Sequence, residues 1–171
     1  VKELMPNGIP KYRSGVKPLE HKPVKPVRTP FMAAGCFFIK ADAIRQIPYD
    51  PYIYFEGEET AYATRLFTHG WDGYTPREPF LYHLYFNKED GRVRHFEDNR
   101  DYQKLNKGSF ARVRHLLGIE QCSDPQYLVD FNKYSLGSYR TLVQYEHFAG
   151  LYFSQRKVTK RASDGDYENV K

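Results

Sequence analysis

Between Tyr49 and Pro76 the chain reads YDPYIYFEGEETAYATRLFTHGWDGYTP, and no other stretch restricts the possible fold so strongly. It opens aromatic and extended, sets a single glycine, Gly57, before two adjacent carboxylates, Glu58 and Glu59, and then keeps a helical period until Gly70. The pattern predicts strand, acidic elbow, helix, strand. Within the helix Tyr62 and Leu66 repeat at i, i+4, as do Ala63 and Phe67, which makes an apolar stripe able to face a core. Glu58 and Glu59 fall in the first turn, where the helix dipole favours a carboxylate by roughly 0.3 to 1 kcal/mol, so position alone explains part of their presence. Successive helical side chains point about 100° apart. Only one of the two can therefore aim into a given pocket, while the other caps or pairs elsewhere.

A chain of 171 residues is long enough for one domain with a sizeable core. Fifteen tyrosines and twelve phenylalanines against one tryptophan imply a core and rim rich in rings with a polar handle. Cys36 and Cys122 lie far apart with no CxxC spacing, which fits a reducing cytosol better than a disulfide scaffold. No run approaches 18 consecutive apolar residues and the first residues are polar, so neither a membrane span nor a signal peptide is read in this sequence. The net charge of +5 permits attraction to phosphates of any source.

Residues 1–30 hold six prolines and little periodicity, and read as an extended, Pro/Lys-rich connector. Residues 31–153 carry the folded portion. Phe31–Lys40, FMAAGCFFIK, is expected as a buried strand with a close backbone approach at Gly35, and Asp42 is expected to cap a brief helix stopped by Pro48. After the central helix, Trp71–Thr75 and Phe80–Phe86 read as strands, and the charged run after Phe86 as loop. Ser109 is expected to cap a helix to Leu117, and Gly137-Ser138 to open another from about Tyr139 to Phe148. Residues 154–171 read as a charged, frayed tail.

Among candidate chemistries, His83 stands in the middle of FLYHLYF. A neutral imidazole there is either a satisfied core residue or a metal ligand, and hard cations such as Mn²⁺ accept His together with carboxylates. His69 precedes a helix-ending glycine, where a cation suits the last carbonyls. His95, His115 and His147 show no HExxH pairing, and there is no GxSxG, no Gly-rich phosphate loop and no dinucleotide fingerprint. Asp164-Gly165-Asp166 lies in the polar tail and is not read as a metal site. The prolines Pro18, Pro23, Pro26 and Pro30 interleave with Lys17, Lys22, Lys25 and Arg28, which allows a second, non-enzymatic reading: a basic binding module for nucleic acid or another phosphate-bearing partner. That arm lacks an aromatic stacking platform, which disfavours nucleic acid.

Gly57-Glu58-Glu59, Arg65, His69-Gly70-Trp71, Tyr82-His83, Leu116-Leu117-Gly118 and the segment Gly137 to Leu142 follow one another in an order that resembles the acceptor half of retaining GT-A glycosyltransferases. The chain is similar to polypeptide N-acetylglucosaminyltransferases that modify hydroxyproline on a cytoplasmic ubiquitin-ligase adaptor, and more distantly to mucin-type polypeptide GalNAc-transferases. The likeness runs from about Pro30 to Phe153. It implies an α/β fold, a GT-A-like mixed sheet with flanking helices, of which this is the acceptor-side portion. It also implies a UDP-sugar donor, a protein acceptor and a Mn²⁺ (or Mg²⁺) ion. By the same resemblance Glu58 is the carboxylate beside donor sugar and acceptor, with Glu59 the second choice; Gly57, Trp71, Asp72 and Tyr82 border the substrate; and His83 is a metal ligand. The nucleotide-binding half would precede Val1 and act as this chain's partner.

Overall fold

The computed structural model describes residues 1–12, 23–78, 80–81, 91, 93–168 and 170. The expected strand Phe80–Phe86, with Tyr82 and His83, lies almost wholly outside them. Elements follow in the order β1 (Glu3–Leu4), β2 (Pro10–Lys11), β3 (Val27–Thr29), α1 (Ala41–Gln46), α2 (Glu58–Thr68), β4 (Gly73–Thr75), α3 (His95–Asp98), α4 (Tyr102–Leu116), α5 (Leu142–Ala149), β5 (Leu151–Tyr152), β6 (Lys157–Val158) and α6 (Lys160–Asp164), with single 3-10 turns at Pro125–Tyr127 and Phe131–Tyr134. The fold is α/β: helices accompanied, among the described residues, by three two-stranded antiparallel pairs, β1 with β2, β3 with β4, and β5 with β6.

Helix α2 is the centre. Its residues are buried on nearly every side: Thr60 to Arg65, Phe67 and Thr68 all lie inside, more than the apolar stripe alone requires. Three threonines at i, i+4 spacing make this possible. The Thr64 hydroxyl donates to the Thr60 carbonyl at 2.8 Å and the Thr68 hydroxyl to the Thr64 carbonyl at 2.9 Å, so these two are satisfied within the helix itself, while the Thr60 hydroxyl pairs with that of Tyr12 at 2.9 Å. Against one side pack α4, through Val113, Leu116 and Leu117, and against another α5. The Phe67 ring meets Tyr145 edge-on and Phe148 in a stack, both with centroids 5.5 Å apart.

The C-terminal end of α2 is held by the approach to α5. Gly137 N–H donates to the Thr68 hydroxyl at 2.9 Å, and Tyr139 and Arg140 N–H both donate to the Thr68 carbonyl, at 3.0 and 3.1 Å. These bonds satisfy groups that a helix end leaves open. Helix α5 then starts at Leu142, later than the expected Tyr139, because Thr141 and Gln144 form a reciprocal capping box.

Other differences from the sequence-based expectations have local causes. Helix α4 begins at Tyr102 and Ser109 is no cap: buried within the helix, its hydroxyl donates to the Leu105 carbonyl at 3.1 Å and accepts from Tyr54 N–H at 2.7 Å. Phe31–Lys40 forms no strand, since no described strand lies beside it; Phe38 is 91% exposed. The Tyr49–Phe55 run is likewise irregular. Residues 1–12 form a hairpin that buries Ile9. Beyond Phe153, residues 157–168 are folded: Thr159 caps α6, and Ala162 and Tyr167 enter the core, the Tyr167 hydroxyl donating to the Ala149 carbonyl at 2.7 Å.

A Cβ at Gly137 would stand 2.6 Å from the Thr68 carbonyl oxygen and 2.7 Å from His69 N. Both are backbone atoms that cannot turn away. Gly137→Ala is expected to destabilise the chain by about 1 to 3 kcal/mol, read in chemical denaturation; an unchanged midpoint would show that this clamp does not hold α2.

Candidate active site

The acidic elbow is built by backbone strain tolerated at one residue. Gly57 takes φ of +93°, in the left-handed region, where a side chain is disfavoured. Its α-carbon also presses on the core: a Cβ would meet Val113 methyls at 3.1 and 3.2 Å and Ile9 Cδ1 at 3.3 Å. From there Glu58 and Glu59 start α2 and diverge. Glu59 Oε1 accepts from Ala34 N–H at 2.7 Å, tying the exposed Phe31–Lys40 segment to the helix start. Glu58 turns to a narrow space shared with Tyr49, Asp50, Ile53, Tyr62 and Arg65.

That environment changes the chemistry of Glu58. Burial pushes its carboxyl up to about 7, with the charges of Glu59 and Glu56 adding to the rise and the N–H groups of Glu58 and Glu59 opposing it. A carboxyl poised there exchanges its proton near neutral pH, as a group that handles protons or developing charge requires. Tyr49 packs on Tyr62 with centroids 4.6 Å apart. Burial first, then Glu58 and Glu59, raise the Tyr49 hydroxyl well above its ordinary value, so Tyr49 stays a neutral O–H donor. The space is about 10 Å³, room for about one water and not for a sugar. A sugar would have to approach Glu58 from its open side.

Behind the elbow lies a charge cluster that sequence reasoning did not find. Asp50 Oδ2 accepts from Arg112 Nε at 2.7 Å, the two side chains only 5% and 1% exposed. Arg112 Nη1 donates to the Tyr127 and Val129 carbonyls, both at 2.9 Å, and its guanidinium lies 4.9 Å from the Tyr52 ring and 5.3 Å from Phe131. Arg65, equally buried, donates from Nη1 to the Pro48 carbonyl at 2.7 Å and lies over Tyr134 at 5.4 Å. Its guanidinium is lowered from the usual arginine range by burial, with Asp50 as the principal opposing charge. Pro48 to Tyr54, the strap that leads into the elbow, is thus anchored at Pro48, at Asp50 and at Tyr54. The available signal was Arg112 itself, an arginine beside Val113 on the inward face of a helix.

The remaining sequence candidates are dispersed. Trp71 and Asp72 lie beyond the other end of α2, an 11-residue helix and so about 16 Å from the elbow along its axis. Asp72 accepts from Arg28 at 2.7 Å and from Arg140 at 2.8 Å. Tyr82 and His83 lie outside the described residues. His69 Nδ1 and the Arg65 carbonyl are 2.7 Å apart, matching the helix-end role; His115 Nδ1 accepts from Cys122 N–H at 3.1 Å. Asp164 pairs with Lys160 inside α6. Among the described residues no group of three or more His, Cys, Asp or Glu side chains could hold a metal ion, so those residues by themselves do not fit a divalent cation. No helix among them is long and apolar enough to cross a membrane.

An acidic elbow at the start of a buried helix, with a carboxyl shifted towards neutrality, is a candidate site for proton or charge chemistry. The chain belongs to the glycosyltransferase (GlcNAc) family, whose model matches residues 2–155. The match starts well before Pro30, so the amino-terminal segment is part of the family domain. No curated protein and no solved structure matches the chain.

Asp50→Ala would leave two guanidiniums inside without their carboxylate. A loss of about 3 to 5 kcal/mol is expected, measured by thermal or urea unfolding; a loss below about 1 kcal/mol, the size of an exposed pair, would show that Arg112 does not depend on Asp50.

Proposed function

We propose that this chain is the acceptor-side portion of a retaining GT-A glycosyltransferase that moves a sugar, GlcNAc in this reading, from a UDP-sugar to a protein hydroxyl, with Glu58 as the carboxylate at the reacting centre. The observation that carries the proposal is the half-buried Glu58 carboxyl at the elbow, pushed up to about 7 in a chain of this family. In transfer, the bond from C1 of the sugar to the diphosphate oxygen breaks, a bond from C1 to the acceptor oxygen forms, and the acceptor's hydroxyl proton passes to the departing diphosphate. An ionised Glu58 facing C1 offsets the positive charge that develops there and orients the acceptor hydroxyl. Tyr49, which stays neutral, borders the same small space. Glu59 fixes the Ala34 loop, and Gly57 sets the angle at which α2 presents both.

The reading assigns Tyr82 to the sugar pocket and His83 to a Mn²⁺ or Mg²⁺ site, whose chemistry when bound is to neutralise diphosphate charge. Trp71 and Asp72, at the far end of α2, serve by fixing β3 and the start of α5, the Asp72 contacts to Arg28 and Arg140 being the support for this role. A nucleotide-binding half of the same fold is the partner in this reading. The exposed Phe38, Phe80 and Tyr74 side chains, 91%, 64% and 60% accessible, support that partner. Two unpaired cysteines, Cys36 and Cys122, support a reducing, cytoplasmic setting.

In the full-length enzyme Glu58→Gln is expected to lower kcat by about a hundredfold or more while the fold persists, and His83→Ala to abolish metal-stimulated transfer; wild-type rates in both would refute the assignment. The active form is the carboxylate, so activity of the native enzyme should rise with pH through about 7. The same shift has a stability signature of opposite sign. A carboxyl raised on folding favours the folded state at low pH, and that contribution is lost as pH climbs from its ordinary value of 4.5 to about 7. Glu58→Gln should therefore gain more melting temperature above pH 7 than below pH 5, and an equal change at both would mean the carboxyl is not shifted.

A further inference from the structure

At the C-terminal end of α2, β3, α5, α6 and the segment after it enclose an open groove of about 990 Å³, at the large end of the range for small-ligand sites. Three guanidiniums line it. The Arg28 guanidinium carbon lies 4.2 Å from the Phe148 ring centroid and that of Arg140 4.6 Å from the Phe67 centroid, cation–π contacts that hold both at the groove, while Arg140 also donates to Asp72. Arg161 closes the third side, donating from Nη2 to the His147 and Phe148 carbonyls at the end of α5. Asp166 lines the groove with them, and Asp72, which does not line it, pairs with Arg28 and Arg140. Asp72 is divided between two arginines, at 2.7 Å from Arg28 and 2.8 Å from Arg140, and the Nε of Arg28 and of Arg161 are buried without a hydrogen-bond partner among the described residues. The three arginines thus outnumber the two carboxylates by one, beside an apolar surface provided by the exposed Val143.

From this convergence we infer that the groove is a binding site for an organic phosphate, whose oxygens meet the arginines and whose apolar body lies on Val143. Planar guanidiniums suit phosphate because they offer paired N–H donors to two of its oxygens. The site is separate from the proposed transfer centre by the length of α2, so it does not depend on that reading. It supplies a second contact, for a nucleotide or for a phosphorylated side chain of a protein.

The test places a charge in the groove at a position that folding does not use. Val143 is 70% exposed on α5, so Val143→Glu and Val143→Lys both leave the core intact. Isothermal titration of the protein with phenyl phosphate is expected to give a Kd of about 1 mM or below, an affinity modest for a ligand of its size. Inorganic phosphate is expected to bind roughly tenfold more weakly for want of an apolar body. Val143→Glu should weaken phenyl phosphate at least about tenfold and Val143→Lys should not. Parallel titrations with UMP and O-phosphotyrosine name the source, the tighter of the two being the physiological chemistry. Absence of saturable binding, equal affinity for inorganic phosphate, or indifference to the Val143→Glu charge would each overturn the inference, as would a loss of melting temperature equal in the two variants and accompanied by equal loss of binding.

Discussion

One buried carboxylate between two buried guanidiniums sets the geometry of this chain. Taking Asp50, Arg65 and Arg112 out of water costs several kcal/mol per ion, and the cost is met only because the surrounding backbone turns its polar groups inward. Carbonyls of Pro48, Tyr127 and Val129 accept from the arginines, and Tyr52 N–H donates to Asp50 at 3.1 Å. Such a cluster tolerates little displacement of any member. It ties three separate segments, Pro48 to Tyr54, the inward face of α4 and the turns from Pro125 to Tyr134, into one frame, and the acidic elbow is mounted on that frame.

The elbow gains its chemistry from the same frame. Because the strap is pinned, Tyr49 and Ile53 stay packed beside Glu58, and burial there pushes its carboxyl up to about 7. Glu59, one residue along, points to the Ala34 amide and has another partner and another fate. Two neighbouring acids in a helical first turn are thereby given different environments by the 100° step of the helix and by what each meets across it. The threonine ladder of α2 serves the same end: in a helix closed in on nearly all sides, the Thr64 and Thr68 hydroxyls would otherwise be buried without hydrogen-bond partners.

Much of this was legible in the sequence where local rules govern. Gly57 and Gly70 bracket α2 almost to the residue, Gly73–Thr75 falls within the expected strand after Trp71, and the divergence of Glu58 and Glu59 follows from helix geometry. What escaped depended on distant partners. Asn106, Ser109 and Arg112 are polar residues on the buried side of α4, so the helix began a full seven residues before the position where its apolar period became visible. Tyr167 and Ala162 are two anchors in a polar segment, too sparse to register as a pattern, yet with Thr159 and Gly165 as caps they suffice to fold it. Phe37 and Phe38 look like core residues by composition and stand exposed, because burial of a strand is decided by its neighbours and not by its own hydrophobicity.

The account turns on the environment of one carboxyl group, and that can be observed without any substrate. With glutamate labelled at the side-chain carboxyl carbon and Glu58→Gln used to assign the resonance, a carbon-13 titration reads the protonation of Glu58 directly. A midpoint near 7 is the predicted result, and a midpoint near the ordinary 4.5 would contradict the picture of a half-buried acid poised at the mouth of α2.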